Sequence, residues 1–118
     1  MTPDLRRPYI AGNWKMYKTA TEAREFGRKL LARLPMGNGV ELAVCPPFTA
    51  LAATIDGLGG SEVKVLAQNM HQEPEGAYTG EVSPRMLTEI GVHGVVLGHS
   101  ERRQYFGETD RALSDKVP

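Results

Sequence analysis

The sequence predicts an α/β fold built on a parallel sheet. Short apolar runs alternate along the chain with segments of helical periodicity, and Gly or Pro separates most of them. Strands that alternate with helices in this way are joined by right-handed crossovers, which makes the strands parallel. Polar and ionisable side chains follow three of the four predicted strands, where α/β proteins carry their functional groups. An open doubly wound sheet and a closed barrel both fit this local pattern.

The first strand and helix are predicted between residues 8 and 39. The strand is a short buried run at 8–11, and Thr19 with Glu22 three residues later forms a capping box that opens the helix. Apolar residues at the i, i+3, i+4, i+7 spacing give this helix one buried stripe, and 35–39 end it. The stripe consists of Ala23, Phe26, Gly27, Leu30, Leu31 and Leu34.

A second strand, a short helix and a third strand are predicted next. The strand at 40–45 stops at two prolines, which cannot donate to a ladder. Thr49 is predicted to cap a helix that runs to Leu58, and glycines separate this helix from the third strand at 63–67.

The remainder of the chain predicts helix, strand and helix. Ser83, with Pro84 at the favoured first-turn position, opens a helix, and 95–97 is the fourth strand. A final helix is predicted to begin near Thr109 and to continue to the end of the sequence, since no capping glycine follows it. Its predicted inward residues are Ala112 and Leu113.

Composition limits the classes of protein to which the chain can belong. Its 118 residues, 41% apolar and 24% charged, are typical of one globular domain. Fourteen basic residues balance fourteen acidic ones, so neither nucleic acid nor an anionic membrane is an expected partner. No apolar run is long enough to span a membrane, and 1–7 is too polar for a signal peptide. The single Cys45 lies in an apolar run and predicts a buried, inert thiol in a reducing cytoplasm.

Four segments resemble those of triosephosphate isomerases. They are Ala-Gly-Asn-Trp-Lys-Met at 11–16, Cys-Pro-Pro-Phe-Thr at 45–49, Gly-Ala-Tyr-Thr-Gly-Glu at 76–81 and Gly-His-Ser-Glu-Arg-Arg at 98–103. They come in the family's order and span nearly the whole chain. The resemblance implies a (β/α)8 barrel of about 250 residues. Residues 1–118 would then be the N-terminal half of a single barrel domain, about its first four β/α units, with no separate second domain.

The resemblance also implies an activity and the residues that carry it. These enzymes interconvert dihydroxyacetone phosphate and glyceraldehyde 3-phosphate through an enediolate, in glycolysis and gluconeogenesis, without a cofactor or metal. Lys15 would be catalytic and substrate-binding, because its ammonium offsets the charge of the triose phosphate and of the enediolate. Asn13 would bind substrate and keep Lys15 in register, and His99 would be the catalytic electrophile. The residues alone also allow a solvated lysine, an Asx turn and a structural histidine.

Ser100 and Glu101 are implied to support this site. Glu101 is expected to pair with Lys15 or with backbone amides, and it is not the base that removes the carbon-bound proton. If Ser100 begins a helical turn, the positive helix end favours the neutral form of the His99 imidazole. The remaining charged residues of this region and the other two histidines are expected to be structural or on the surface. They are Arg102, Arg103, His71 and His93.

The segment 69–82 is long for a strand-to-helix connection, where two to six residues are usual. The resemblance implies that this loop inserts into the neighbouring subunit of a homodimer, with Gly76, Tyr78 and Thr79 at the interface. Thr79 would reach the partner's site around Lys15. A loop packed on itself is the alternative.

The resemblance leaves part of the catalytic apparatus unaccounted for. The family's catalytic glutamate follows strand six, a lid comes after it, and phosphate-binding glycines follow strands seven and eight. None of these segments lies within 1–118, so the chain alone is expected to bind and polarise substrate but to be inactive. The alternative is a half-barrel binding or assembly module that pairs with a second chain. A nucleotide-binding domain is disfavoured, because no G-x-G-x-x-G or P-loop follows the first strand.

Overall fold

Four parallel strands form one sheet in the order β1-β2-β3-β4. The computed structural model describes residues 6–34 and 39–117. A doubly wound sheet reverses its strand order at a switch point, whereas these strands follow one another in sequence order, as in the wall of a barrel. The α/β prediction is therefore confirmed, and the strand order favours the barrel. The strands are β1 Tyr9–Asn13, β2 Glu41–Cys45, β3 Lys64–Ala67 and β4 Gly94–Val95.

Five helices connect and follow these strands in the described part of the chain. They are α1 Ala20–Arg33, α2 Leu51–Leu58, α3 Pro84–Ile90, α4 Ser100–Phe106 and α5 Asp110–Ser114. The capping box of α1 is confirmed, since the Thr19 hydroxyl accepts from the Glu22 amide and the Glu22 carboxylate accepts from the Thr19 amide. Ser83 caps α3 as predicted. Among the described residues, no helix is both long and apolar enough to cross a membrane.

The core lies between the sheet and the pair α1 and α2. Two glycines let these helices touch backbone to backbone: a Cβ on Gly27 would come within 2.9 Å of the Gly57 carbonyl carbon, and one on Gly57 within 2.5 Å of the Arg24 oxygen. The predicted stripe of α1 faces this contact, with Ala23 and Gly27 buried and the larger apolar members partly buried. Cys45 is buried as predicted, and burial raises the pKa of its thiol.

The first strand differs from the prediction in both extent and burial. The predicted buried run at 8–11 is a strand at Tyr9–Asn13, and every residue in it is exposed. The reason is its position, because β1 pairs only with β2 and forms an edge of the described sheet. Ile10 keeps 58% of its surface exposed.

Several predicted boundaries are also corrected. Thr49 does not cap α2: a 3-10 turn at Phe48–Ala50 runs directly into the helix, whose N-cap Ala50 makes no side-chain cap bond. The fourth strand is Gly94–Val95 instead of 95–97. The first helix ends at Arg33, and most of its predicted terminator, 35–38, lies outside the described residues.

The final helix is shorter than predicted. Thr109 caps it, but α5 ends at Ser114 and does not continue to the end of the sequence. Leu113 is buried as predicted, whereas Ala112 is exposed, because a helix of five residues has room for little more than one inward position.

A buried ionic cluster joins α4, α5 and the end of β3. Glu108 Oε2 accepts from Arg102 Nε at 3.0 Å and from Lys116 Nζ at 3.1 Å, and Lys116 Nζ also donates to Asn69 Oδ1 at 2.9 Å. The Glu108 and Lys116 side chains are only 8% and 10% exposed. Burial raises the pKa of Glu108, but the hydrogen bonds from Arg102 and Lys116 outweigh it and hold the pKa below its usual value.

We expect Glu108→Gln to lower the free energy of unfolding by about 3 kcal/mol at pH 7, because a neutral amide leaves Lys116 buried without its counterion. Since folding lowers the Glu108 pKa, the carboxylate's contribution is present above about pH 4.3 and is lost as the pH falls through the folded-state value. Urea denaturation should therefore show the variant and the wild type converging in acid. The exposed Glu62→Gln is the control, and equal effects of the two substitutions would contradict the expectation.

Candidate active site

The carboxyl ends of β1 and β4 bring the predicted active-site residues together at the same end of the sheet. Lys15 follows β1 and His99 follows β4, and Glu101 lies between their side chains. Lys15 Nζ is 2.6 Å from Glu101 Oε1, and His99 Nδ1 is 3.8 Å from Glu101 Oε2. Residues separated by more than eighty positions thus form one cluster.

A constrained turn aims Lys15 at this cluster. Lys15 has a φ of 56°, in the left-handed region that costs a residue with a Cβ about 1–2 kcal/mol. Asn13 offsets part of this cost, because its Oδ1 accepts from the Lys15 amide at 2.8 Å. Trp14 anchors the turn: it is 8% exposed, its ring meets Phe26 edge to face, and its amide donates to the Cys45 carbonyl at 3.1 Å. The turn therefore exposes Lys15 while it buries the preceding side chain.

The Lys15–Glu101 pair fixes the charge of both groups. The hydrogen bond and the charge of Glu101 raise the pKa of Lys15, and the hydrogen bond from Lys15 lowers the pKa of Glu101. Both groups are therefore charged at neutral pH. The predicted pairing of Glu101 with Lys15 is present, and a carboxylate held in this way accepts a proton less readily than an unpaired one.

His99 lies at the N-cap of α4, so the helical turn predicted from Ser100 is present. The Glu101 amide donates to His99 Nδ1 at 3.1 Å. A ring nitrogen that accepts a hydrogen bond carries no proton, so this contact favours the tautomer with its proton on Nε2. The side chain is 33% exposed. The site therefore holds this imidazole and the Lys15 ammonium against the same carboxylate, that of Glu101.

Comparisons with known proteins agree with this geometry. Residues 8–118 match the family model described as triosephosphate isomerase. The chain belongs to the triosephosphate isomerase family. Among its relatives are proteins named triosephosphate isomerase from Carboxydothermus hydrogenoformans, 58% identical, Symbiobacterium thermophilum, 53% identical, and Moorella thermoacetica, 53% identical, each over 113 residues. Each alignment covers 96% of this chain but only 45%, 44% and 45% of these relatives in turn, so the chain spans about half their length.

Membership of the triosephosphate isomerase family accounts for the sheet. The family fold is the (β/α)8 barrel. Four parallel strands that alternate with helices, in sequence order, are four consecutive β/α units of that barrel.

The loop predicted to reach a partner subunit is partly closed on itself. At its base the His71 amide donates to the Val82 carbonyl at 2.8 Å, and the Tyr78 ring lies 4.1 Å from the His71 ring. Gly76 has a φ of 144°, and a Cβ there would come within 2.7 Å of Tyr78. Thr79 is exposed, and Tyr78 remains 47% exposed. The loop thus presents Thr79 and one edge of Tyr78 outward.

The two arginines that follow Glu101 form ion pairs with nearby acids, as predicted. Arg102 pairs with Glu108 at 3.0 Å and Arg103 with Asp110 at 2.7 Å. Ser100 begins α4 and is exposed. The two remaining histidines serve the backbone through Nδ1, which accepts from the Glu73 amide in His71 and from the Val65 amide in His93.

One side chain of this candidate site has no role in the sequence-based prediction. Gln68 Nε2 donates to the Cys45 carbonyl at 2.7 Å and to the Lys15 carbonyl at 2.9 Å. The available signal is its place directly after a strand, next to a second amide side chain, Asn69. Its reach to two other strand ends depends on the sheet and cannot be read from spacing.

Proposed function

We propose that the protein containing this chain is a triosephosphate isomerase that interconverts dihydroxyacetone phosphate and glyceraldehyde 3-phosphate. The reaction would proceed by proton transfer through an enediolate, in the glycolysis and gluconeogenesis of the cytoplasm, and it would need no cofactor or metal. The observation that carries the proposal is that Glu101 joins the Lys15 ammonium to the His99 imidazole: its carboxylate pairs with Lys15, and its amide donates to His99 Nδ1.

Each of these groups has a part in the proposed reaction. Lys15 binds the anionic substrate, and its charge counts most when negative charge develops on the enediolate oxygen. His99 donates from Nε2 to the substrate carbonyl and moves a proton between the two oxygens of the enediol. Asn13 holds the Lys15 turn and contacts substrate, while Glu101 positions Lys15 and Ser100 begins the helix beneath His99.

The base that removes the carbon-bound proton is proposed to lie outside 1–118. Glu101 is the carboxylate at this site, and its pairing with Lys15 lowers its pKa, which makes it a weaker base. The chain alone is therefore proposed to be inactive.

An assay of triose phosphate isomerisation tests both statements. The full-length protein is expected to turn over either triose phosphate, and residues 1–118 alone are not. A full-length protein that is silent on both substrates would refute the proposed function. Turnover by 1–118 would instead refute the proposed location of the base.

The exposed β1 edge supports a second candidate, a half-barrel module that pairs with another chain. Tyr9 and Ile10 are 47% and 58% exposed on a strand whose second edge has no partner among the described residues. An unpaired parallel strand of this kind can accept another strand. The discriminating measurement is the mass of the intact polypeptide under denaturing conditions, because the module predicts two short chains and the isomerase predicts one long chain.

The protein is also proposed to form a homodimer through the 69–82 loop, with Gly76, Tyr78 and Thr79 in the interface. We expect Thr79→Arg to shift the full-length protein from dimer to monomer, raising the dimer dissociation constant at least about a hundredfold, because a guanidinium would be buried against the partner's Lys15 region. Sedimentation velocity measures the shift. Thr21→Arg, on the exposed face of α1, should leave the dimer intact. A Thr79→Arg protein that sediments as wild type would contradict the insertion.

A further inference from the structure

The Gln68 side chain ties together the ends of three strands. It follows β3, and its Nε2 donates to the carbonyl of Cys45 at the end of β2 and to that of Lys15 beyond β1. Asn13 Oδ1 is a third, longer contact at 3.5 Å. One amide nitrogen with two hydrogens thus serves two carbonyl oxygens from different chain segments.

One of these contacts is made to Lys15, the residue of the site whose backbone is strained. Lys15 is in the left-handed region, so its backbone needs contacts that hold it there. Its amide is held by Asn13 Oδ1 at 2.8 Å and its carbonyl by Gln68 Nε2 at 2.9 Å. Both peptide groups of Lys15 are therefore fixed by side chains, one from its own turn and one from the residue directly after β3.

One of the two carbonyl groups that Gln68 contacts, that of Cys45, also holds Trp14, the residue before Lys15. Cys45 O accepts from the Trp14 amide at 3.1 Å as well as from Gln68. The amide of Gln68 therefore stabilises the whole turn that precedes the Lys15 side chain. A glutamate at position 68 would place an acceptor against these carbonyl oxygens, and a methionine would fill the space with no donor.

We propose that Gln68 is a positioning residue, which holds the Lys15 backbone so that the ammonium meets both Glu101 and the anionic substrate. This proposal rests on the proposed isomerase function. Gln68 acts through Lys15 and does not itself contact the reacting atoms.

The experiment compares Gln68→Met with wild type in the full-length protein. We expect kcat/KM to fall about ten- to hundredfold, with a lower kcat and a higher KM, because a displacement of about 1 Å at a catalytic group has an effect of this size. The exposed Gln104→Met is the matched control and should keep both constants. A purely structural role would lower only the unfolding midpoint, so unchanged kcat and KM in folded Gln68→Met would overturn the proposal.

A direct readout of Lys15 accompanies the kinetics. In the wild type, Glu101 raises the pKa of the Lys15 ammonium. NMR titration of protein labelled with ¹⁵N-lysine should show this pKa falling towards its ordinary value in Gln68→Met. An unchanged Lys15 titration would also overturn the proposal. Inactivity of the wild-type protein would refute the function, whereas an active wild type with normal Gln68→Met kinetics refutes only the positioning role.

Gln68→Glu keeps the proposal testable if the methionine variant does not fold. Its carboxyl group can donate only when protonated, so its kcat/KM relative to wild type should rise as the pH is lowered through the carboxyl pKa. A ratio that does not vary with pH would contradict the proposed contact.

Discussion

Lys15→Met is expected to lower kcat/KM of the full-length protein by about a thousandfold or more. Methionine retains an unbranched side chain but has neither charge nor donors, so the negative charge that develops on the enediolate in the proposed isomerisation would lose its cation. Removing one preorganised donor from such a charge typically costs 10²–10³ in rate, and here a full charge is removed as well. The left-handed backbone at this position makes compensation by another residue difficult, since the turn is fixed on both sides.

The measurement is steady-state kinetics in both directions of the reaction. Lys29→Met, an exposed lysine on α1, is the matched control and should behave as wild type. Near-normal constants for Lys15→Met would show that the lysine is only a solvated charge, and they would remove it from the site.

His99→Gln is expected to lower kcat by about 10²–10⁴-fold while the protein stays folded. A glutamine amide can donate a hydrogen bond, but it cannot accept and return a proton as imidazole does. Its oxygen can still accept from the Glu101 amide, so the N-cap of α4 need not be lost. The substrate should therefore still bind, and the loss should be concentrated in kcat.

His93→Gln separates this effect from a structural one. His93 also accepts from a backbone amide, that of Val65, but it lies away from the strand exits. The His93→Gln variant should therefore have a changed unfolding midpoint and an unchanged kcat. If His99→Gln behaved in the same way as His93→Gln, a loss of stability with normal turnover, His99 would be a structural histidine.

Much of the fold follows from local rules in the sequence. The capping box at Thr19 and the Ser83–Pro84 cap are set by hydrogen bonds within one turn of helix, and both are present. The clustering of polar residues after the strands could be predicted, because the carboxyl ends of parallel strands lie at the same end of a sheet. The Lys15–Glu101 pair follows from the same rule together with the resemblance.

What the sequence did not predict depends on neighbours in space. The apolar run of β1 was expected to be buried, but a strand is buried only by elements that pack on it, and β1 is an edge here. Thr49 has the right residue type for an N-cap, but it lies inside a 3-10 turn that leads directly into α2. The N-cap position of α2 therefore falls on Ala50 instead. Gln68 is the clearest case, because its partners lie 23 and 53 residues away in the chain.

The ammonium of Lys116 donates both to Glu108 and to Asn69, the first residue of the long loop. The packing of α4 and α5 is thereby linked to the loop through a single group. A molecule that binds this loop only when the protein is folded would stabilise these helices by mass action, and the stabilisation would increase with the logarithm of that molecule's concentration. In a self-associating protein that molecule is another copy, so heat tolerance would increase as the protein becomes more concentrated.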